Sequence, residues 1–206
     1  MQRRHLLMLA TGLAVAALVR PDTGAAQTVD VDGILRDPAA PTGGNPKGDV
    51  TVVAFLDYNC PFCKTSAPDL ARAVKQDGKV RLVYKDWPIL SEASVYGAQI
   101  ALAAKYQGAY ETVHKALMAI PGRGITKEQM LAAIQTSGVD LERLDADLKA
   151  HAADITALLR RNLSQAESLG LRGTPTYLIG PFKTSTLDSA GFKEAFAEAR
   201  RRQAAE

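Results

Sequence analysis

Hydrophobic and β-branched residues run almost without interruption over residues 51–56, which predicts a central strand buried on both faces. A helix-compatible stretch follows at residues 61–76, where Pro61 suits the first helical turn and Gly78 is placed to end the helix. A second apolar strand at residues 80–85 comes soon enough afterwards to form a right-handed βαβ crossover with the first. The two strands are therefore expected to be parallel and adjacent.

Residues 94–169 are almost entirely helix-compatible. The predicted helices cover residues 95–106, 110–119, 127–136, 141–150 and 155–169. Thr126 with Gln129 resembles a capping box, and Asp140 is placed as the N-cap of the next helix. This part of the chain is expected to be a block of helices between strands.

The last third of the chain returns to a strand pattern before it ends in a helix. Residues 176–179 predict a strand, and residues 180–187 a short edge partner whose length Pro181 limits. Residues 189–202 predict a terminal helix. The order β-α-β, helical block, β-β-α predicts the α/β class.

The first 26 residues predict an export signal, with two adjacent arginines, an apolar segment at residues 6–19 and the small residues Gly24-Ala25-Ala26 before Gln27. The apolar segment has 14 residues, fewer than the ~20 that a membrane-spanning helix needs. The periplasm is the expected location, and the twin-arginine and general secretory routes both remain open. Residues 27–49 are rich in Pro, Gly and Asp and predict a turn-rich lead-in, with the ordered core beginning near Val50.

Removing the predicted signal lowers the formal net charge of the chain. The full chain has 25 basic and 22 acidic side chains, and three of the basic and one of the acidic ones lie in residues 1–26. The formal charge then falls from +3 to +1. Binding to nucleic acid or to acidic membranes needs a concentrated basic face, so both partner classes are excluded.

Both cysteines of the chain lie in the segment Cys60-Pro61-Phe62-Cys63, where the first strand turns into a helix. Such a pair can close a small disulfide while the first sulfur lies against the unpaired N–H groups of the helix start. A structural staple is a poor alternative, because so short a loop removes little entropy from the unfolded chain. A zinc site lacks its other ligands, since His114 and His151 have no ligand spacing. We predict a redox-active disulfide, with no metal and no separate cofactor.

Four further segments stand out: Asp57-Tyr58-Asn59-Cys60-Pro61-Phe62-Cys63-Lys64, the Asn45-Pro46-Lys47-Gly48-Asp49-Val50 lead-in, Trp87-Pro88-Ile89-Leu90 and Gly173-Thr174-Pro175-Thr176. Together they resemble the DsbA-like thiol-disulfide oxidoreductases, and most closely the branch that contains suppressor-of-copper-sensitivity protein C and the Com1-type proteins. The resemblance implies a thioredoxin-like fold interrupted by a helical insertion domain. The thioredoxin-like domain would comprise residues 50–90 and about 151–206, and the insertion about 91–150.

The resemblance also implies residue roles. Cys60 matches the exposed nucleophile and Cys63 the buried resolving thiol, in agreement with their positions at the helix start and within its first turn. Pro175 is implied to be cis and to lie beside the disulfide. We expect Thr174 and Pro175 to dock an extended substrate segment, with Pro61 and Phe62 as further substrate contacts.

Three departures from the family pattern affect function. Pro-Phe between the cysteines lacks the histidine of the strongest oxidases, which predicts a less oxidising disulfide. Ala54 stands where the family usually has a buried acid, so proton transfer to and from Cys63 must use water or another group, for which Asp57, Lys85 and Asp86 are candidates. The N-terminal helical extension that the branch uses for oligomerisation has no counterpart here, so a monomer is expected.

The expected partners are exported cysteine-containing proteins and a membrane redox partner that reoxidises or reduces the pair. The features favour a dithiol oxidase, with a disulfide isomerase or reductase as the alternative in the same class. From a different class, the reduced cysteines could form a soft copper(I) site in a stress protein. Met118 and Met130 are better explained as helix core than as copper ligands.

Overall fold

The computed structural model describes residues 29–205, and this part of the chain contains a five-stranded mixed sheet with helices on both faces. The strands are β1 (Thr42–Gly44), β2 (Val50–Leu56), β3 (Val80–Asp86), β4 (Thr176–Ile179) and β5 (Phe182–Thr184), in the order β1-β3-β2-β4-β5. The central pair β2 and β3 is parallel, as predicted, and the other pairs are antiparallel. The predicted α/β class is confirmed.

The helices lie before, between and after these strands. They are α1 (Val31–Arg36), α2 (Pro61–Asp77), α3 (Glu92–Ala104), α4 (Tyr110–Met118), α5 (Lys127–Gln135), α6 (Leu141–Ala150), α7 (Ala152–Ser168) and α8 (Ser189–Gln203), with a turn of 3-10 helix at Lys105–Gln107. Helices α3 to α7 are all inserted between β3 and β4. Where the helical insertion ends and the sheet domain resumes stays a prediction, because α7 packs against both α3 and β3.

The sheet separates two hydrophobic clusters, and alternate residues of β2 contribute to each. Val52 and Ala54 belong to the larger cluster, which includes α2, α3, α4 and α8, whereas Val53 and Phe55 face the smaller cluster around α1 and α7. Every residue of β2 except Thr51 is buried, which explains its nearly continuous apolar sequence. The C-terminal end of β2, from which the chain continues into α2, is therefore packed on both faces of the sheet.

The helix ends follow the predicted capping chemistry. Thr126 and Gln129 form a reciprocal capping box, Asp140 caps α6, and Gly78 ends α2 in the left-handed conformation. Helix α3 starts three residues earlier than predicted because the Ser91 hydroxyl accepts a hydrogen bond from the N–H of Ser94. Capping side chains thus set boundaries that the hydrophobic pattern alone misplaces.

The predicted turn-rich lead-in contains two elements that the sequence reasoning missed. Asp30 caps α1, and β1 adds to the outer edge of β3 although two of its three residues are glycine. Two main-chain carbonyls of this segment also accept hydrogen bonds from distant side chains. The Leu35 carbonyl accepts from Arg81 at 2.8 Å, and the Ala39 carbonyl accepts from Lys105 at 2.8 Å. Order therefore begins before Val50, because these main-chain hydrogen bonds and the buried side chains of Ile34 and Ala40 fix the segment together.

Arg200 joins the C-terminal helix α8 to the segment before β2 and to the end of α2. Its guanidinium donates to the carboxylates of both Asp49 and Asp77 at distances of 2.7–3.1 Å. The arginine links α8 to the start of β2 and the end of α2.

The predicted export signal lies outside the described residues. Over residues 29–205, we find no helix whose length and apolarity would allow it to cross a membrane.

Candidate active site

Cys60 is the residue immediately before the first turn of α2. It is the N-cap of the helix, with extended backbone angles, and Pro61 occupies the first helical position. The Sγ of Cys60 accepts a hydrogen bond from the N–H of Cys63 at 3.2 Å. A sulfur in this position replaces the side-chain oxygen of an ordinary N-cap, so a negative charge on it is stabilised by the helix start.

The environment separates the pKa values of the two thiols. Hydrogen bonding to the Cys63 thiol, with further help from Thr174 and from the N–H groups of Cys63 and Phe62, lowers the pKa of Cys60 to about 6 against the opposing effect of burial. Burial, together with the hydrogen bond to Cys60, raises the pKa of Cys63 far above its ordinary value. At neutral pH the reduced pair therefore consists of a Cys60 thiolate and a protonated Cys63.

Cys60 is less accessible than the sequence predicts. Both cysteines are free thiols in the structure, and Cys60 exposes only 2% of its surface. The expectation of an exposed nucleophile is wrong for this state, because the Thr174 carbonyl lies 3.1 Å from the Cys60 Sγ and accepts its S–H when the thiol is protonated.

The Thr174–Pro175 peptide bond is cis, as the resemblance implies. Although Thr174 and Cys60 are far apart in sequence, β4 begins at Thr176 and pairs antiparallel with the end of β2, which delivers Thr174 to the start of α2. Phe62 projects outward with 63% of its surface exposed, and Ile89 and Leu90 are also exposed. The substrate-contact roles of Pro61, Phe62, Thr174 and Pro175 remain predictions.

The three candidates for replacing the acid at Ala54 lie in different environments. Asp57 accepts hydrogen bonds from the N–H groups of Asn59, Ile89 and Leu90 and from the hydroxyl of Ser94, at 2.7–3.0 Å. Of the three candidates, only Asp57 is a hydrogen-bonding partner of Cys63, and it acts through its main chain. The Asp57 carboxylate is therefore committed to holding the loop after β2.

Lys85 and Asp86 point to opposite faces of β3. Lys85 is fully buried on the α1 side, where its ammonium lies 3.6 Å from the Asp37 carboxylate. Asp86 accepts hydrogen bonds from the hydroxyl of Tyr110 at 3.0 and 3.1 Å, and burial raises its pKa to about 7. Each has its own partner within the described residues.

A buried polar cluster beside Asp86 was not predicted. The hydroxyl of Tyr58 lies 3.1 Å from Nδ1 of His114, and the imidazole packs among the rings of Tyr58, Tyr84 and Tyr110. Burial lowers the pKa of His114 to about 3, so this histidine is neutral. His114 is thus a buried residue of α4, and its spacing of four residues from Tyr110 was the signal available in the sequence.

We expect the alkylation rate of Cys60 in the reduced protein to rise with pH around a midpoint of about 6. Because this folded pKa lies below the unfolded value, the linked stabilisation of the reduced protein is fully present above about pH 9 and is lost as the pH falls through about 6. Iodoacetamide labelling rates between pH 4 and 10, followed by mass spectrometry, check the midpoint. A midpoint near the ordinary thiol value would contradict the proposed thiolate.

In the described part of the chain, no three His, Cys, Asp or Glu side chains come together in a way that could hold a metal ion.

Comparison with solved structures gives close matches over most of the chain. A thioredoxin-like oxidoreductase from Silicibacter pomeroyi is 38% identical with a TM-score of 0.77, and the match covers 84% of this chain and 98% of that one. The thiol-disulfide exchange protein alpha-DsbA2 of Wolbachia pipientis is 28% identical with a TM-score of 0.75, over 81% and 90% of the two chains. The catalytic domain of Proteus mirabilis ScsC is 25% identical with a TM-score of 0.73, over 82% and 93%.

Curated relatives include longer proteins. The chain is 30% identical to a Na(+)/H(+) antiporter, NhaA 3 of Salinispora tropica, in a match that covers 94% of this chain but only 30% of the antiporter. The chain thus spans about a third of the length of such relatives or less. The probable disulfide bond formation protein D of Bacillus anthracis is 26% identical, over 71% of this chain and 72% of that protein.

The family model described as thioredoxin matches residues 37–197. This range includes the sheet from β1 to β5, all the inserted helices, both cysteines and Thr174–Pro175. The chain therefore belongs to the thioredoxin family, and within it to the DsbA-like thiol-disulfide oxidoreductases.

Proposed function

We propose that this protein oxidises pairs of thiols in exported proteins by giving away a disulfide between Cys60 and Cys63. The observation that carries the proposal is the opposite displacement of the two pKa values, with Cys60 lowered to about 6 and Cys63 raised. A thiolate of low pKa is a good leaving group in disulfide exchange. The difference therefore makes the Cys60 sulfur the one that is released most readily from a mixed disulfide.

The oxidation proceeds in two exchange steps. A substrate thiolate attacks the Cys60 sulfur, the Cys60–Cys63 bond breaks, and Cys63 leaves and takes up a proton. A second substrate thiolate then attacks the substrate sulfur of the mixed disulfide and releases Cys60 as a thiolate. Two electrons pass from the substrate to the cysteine pair, and the substrate gains one disulfide. Oxidation of the reduced pair by a membrane redox partner completes the cycle.

The surroundings of Cys60 support a polypeptide substrate. Thr174 and Pro175 directly precede β4, and the Thr174 carbonyl lies 3.1 Å from the Cys60 sulfur, where an extended substrate segment can hydrogen-bond to the main chain of Thr174. The exposed Phe62, Ile89 and Leu90 offer apolar surface nearby. We infer that the protein acts as a monomer in the periplasm, where the predicted export signal would direct it.

The reduction potential of the Cys60–Cys63 pair tests the direction of electron flow. We expect a value nearer the roughly −120 mV of DsbA than the roughly −270 mV of thioredoxin after equilibration with graded glutathione buffers. The oxidised protein should also restore activity to reduced, unfolded ribonuclease A. A potential near the thioredoxin value, with activity only on ribonuclease whose disulfides are scrambled, would replace the oxidase proposal by an isomerase or reductase.

A further inference from the structure

Each of the three residues before Cys60 sends a polar side chain into the region of the inserted helices. Asp57 binds the segment before α3, Tyr58 contacts His114 on α4, and Asn59 contacts the segment between α4 and α5. We call that segment, residues 119–126, the α4–α5 loop. The redox motif is thus attached to the inserted helices on the side where β2 ends.

The contact of Asn59 is the most specific of the three. Its Oδ1 accepts a hydrogen bond from the N–H of Ile125 at 2.6 Å, and its Nδ2 donates to the Ile125 carbonyl at 3.1 Å and to the Ser91 hydroxyl at 2.8 Å. The side-chain amide therefore pairs with both main-chain groups of a single residue. Asn59 and Ile125 are both buried, so loss of the amide leaves these groups without their partner and away from water.

The α4–α5 loop also contacts the other end of the redox motif. Lys64, directly after Cys63, donates from Nζ to the carbonyl of Gly122 at 3.3 Å. One loop of the inserted helices is thus bonded to the residue before Cys60 and to the residue after Cys63. The first turn of α2 is held between these two contacts.

We propose that Asn59 is a positioning residue for the redox centre. Through its hydrogen bonds to Ile125, Asn59 holds Cys60 in the orientation in which the N–H at the start of α2 reaches the Cys60 sulfur. This role deepens the function proposed above and rests on it. The main-chain bonds within the turn support this assignment. Because the N–H groups of Asn59 and Cys60 both bind Asp57, a displacement of the Asn59 side chain is passed directly to Cys60.

Replacement of Asn59 by alanine tests the proposal, with Asn45→Ala as the matched control. Asn45 also bonds main chain through both ends of its amide, to Gly78 and to Lys47, but at the opposite end of α2. In Asn59→Ala we expect the midpoint of Cys60 alkylation to rise by about one pH unit, a roughly tenfold weaker preference for the thiolate. The pair should become correspondingly less oxidising. Asn45→Ala should lower the melting temperature without moving either quantity.

Asn59→Gln covers the case in which the alanine variant does not fold. It keeps the amide but displaces it by one methylene group, so the midpoint and potential should again shift in the same direction. Loss of stability with an unchanged midpoint and an unchanged potential, in whichever variant folds, would overturn the positioning role. Because both readouts are measured without substrate, failure of the wild-type protein to oxidise ribonuclease would contradict the proposed function and leave this inference standing.

Discussion

Replacing Cys60 with serine is expected to reduce disulfide exchange to the uncatalysed background, a fall of roughly 10³-fold or more. Serine keeps the size and the hydrogen bond from the N–H of Cys63, but its oxygen can neither form a mixed disulfide nor leave from one. The rate of oxidation of reduced, unfolded ribonuclease A measures the effect. Retention of a large part of the wild-type rate would mean that Cys60 is not the sulfur that substrates attack.

The matched variant Cys63→Ser should fail differently. It keeps the Cys60 thiolate but removes the sulfur that closes the intramolecular disulfide, so Cys60 can attack a substrate disulfide and then has no internal partner to release it. Covalent complexes with substrate should accumulate on non-reducing gels and disappear on addition of dithiothreitol. If Cys60→Ser formed these complexes and Cys63→Ser did not, the assigned roles of the two cysteines would be reversed.

The second large effect is expected on stability, from Asp37→Ala. The Asp37 carboxylate accepts from Arg161 at 2.8 and 3.2 Å and lies 3.6 Å from the ammonium of Lys85, a side chain with 0% exposure. Among residues 29–205, the hydrogen bond that this ammonium would then keep is a long one of 3.4 Å to the Gly33 carbonyl. Leaving a buried charge without its partner costs about 3–5 kcal/mol. Urea denaturation at pH 7 gives the change in the free energy of unfolding.

Two further variants show whether burial of the Lys85 charge is the cause. Asp37→Ala combined with Lys85→Met removes both charges, with methionine close to lysine in volume, and should recover most of the lost stability. Asp32→Ala removes the pair Arg36–Asp32 in the same segment, where both side chains are mostly exposed, and should change stability by less than about 1 kcal/mol. Equal losses in Asp37→Ala and Asp32→Ala would contradict the explanation.

Local patterns in the sequence were sufficient for β2, α2 and β3. Continuous apolar residues predict buried strands, and the backbone preferences of Pro61 and Gly78 predict where the helix begins and ends. The cysteine motif and the Thr174–Pro175 pair were also found, because their spacing and residue types are unusual. Local information was weakest in α1, which buries the single side chain of Ile34, and in β1, which carries no apolar side chain.

The polar partners inside the protein could not be read from local patterns. Asn59 meets Ile125 and Lys85 meets Asp37 across long stretches of chain, and only the packed fold brings these residues together. Lys85 lies in a strand that also carries Arg81 and Asp86, so its charged side chain resembles a surface residue of an edge strand. The burial of His114 likewise depends on three tyrosines that come from three separate elements.

The strand order has a consequence for the chain while it is being made. During synthesis β2, the cysteines and β3 emerge early. Phe55 pairs with β3 on one side, but its pairing partner on the other side, Thr176 of β4, emerges much later. Until then one edge of the central strand is unpaired, and the sulfur of Cys60 lacks the carbonyl that covers it in the finished protein. A nascent chain therefore presents open thiols beside an open strand, the combination most exposed to wrong disulfides and to aggregation.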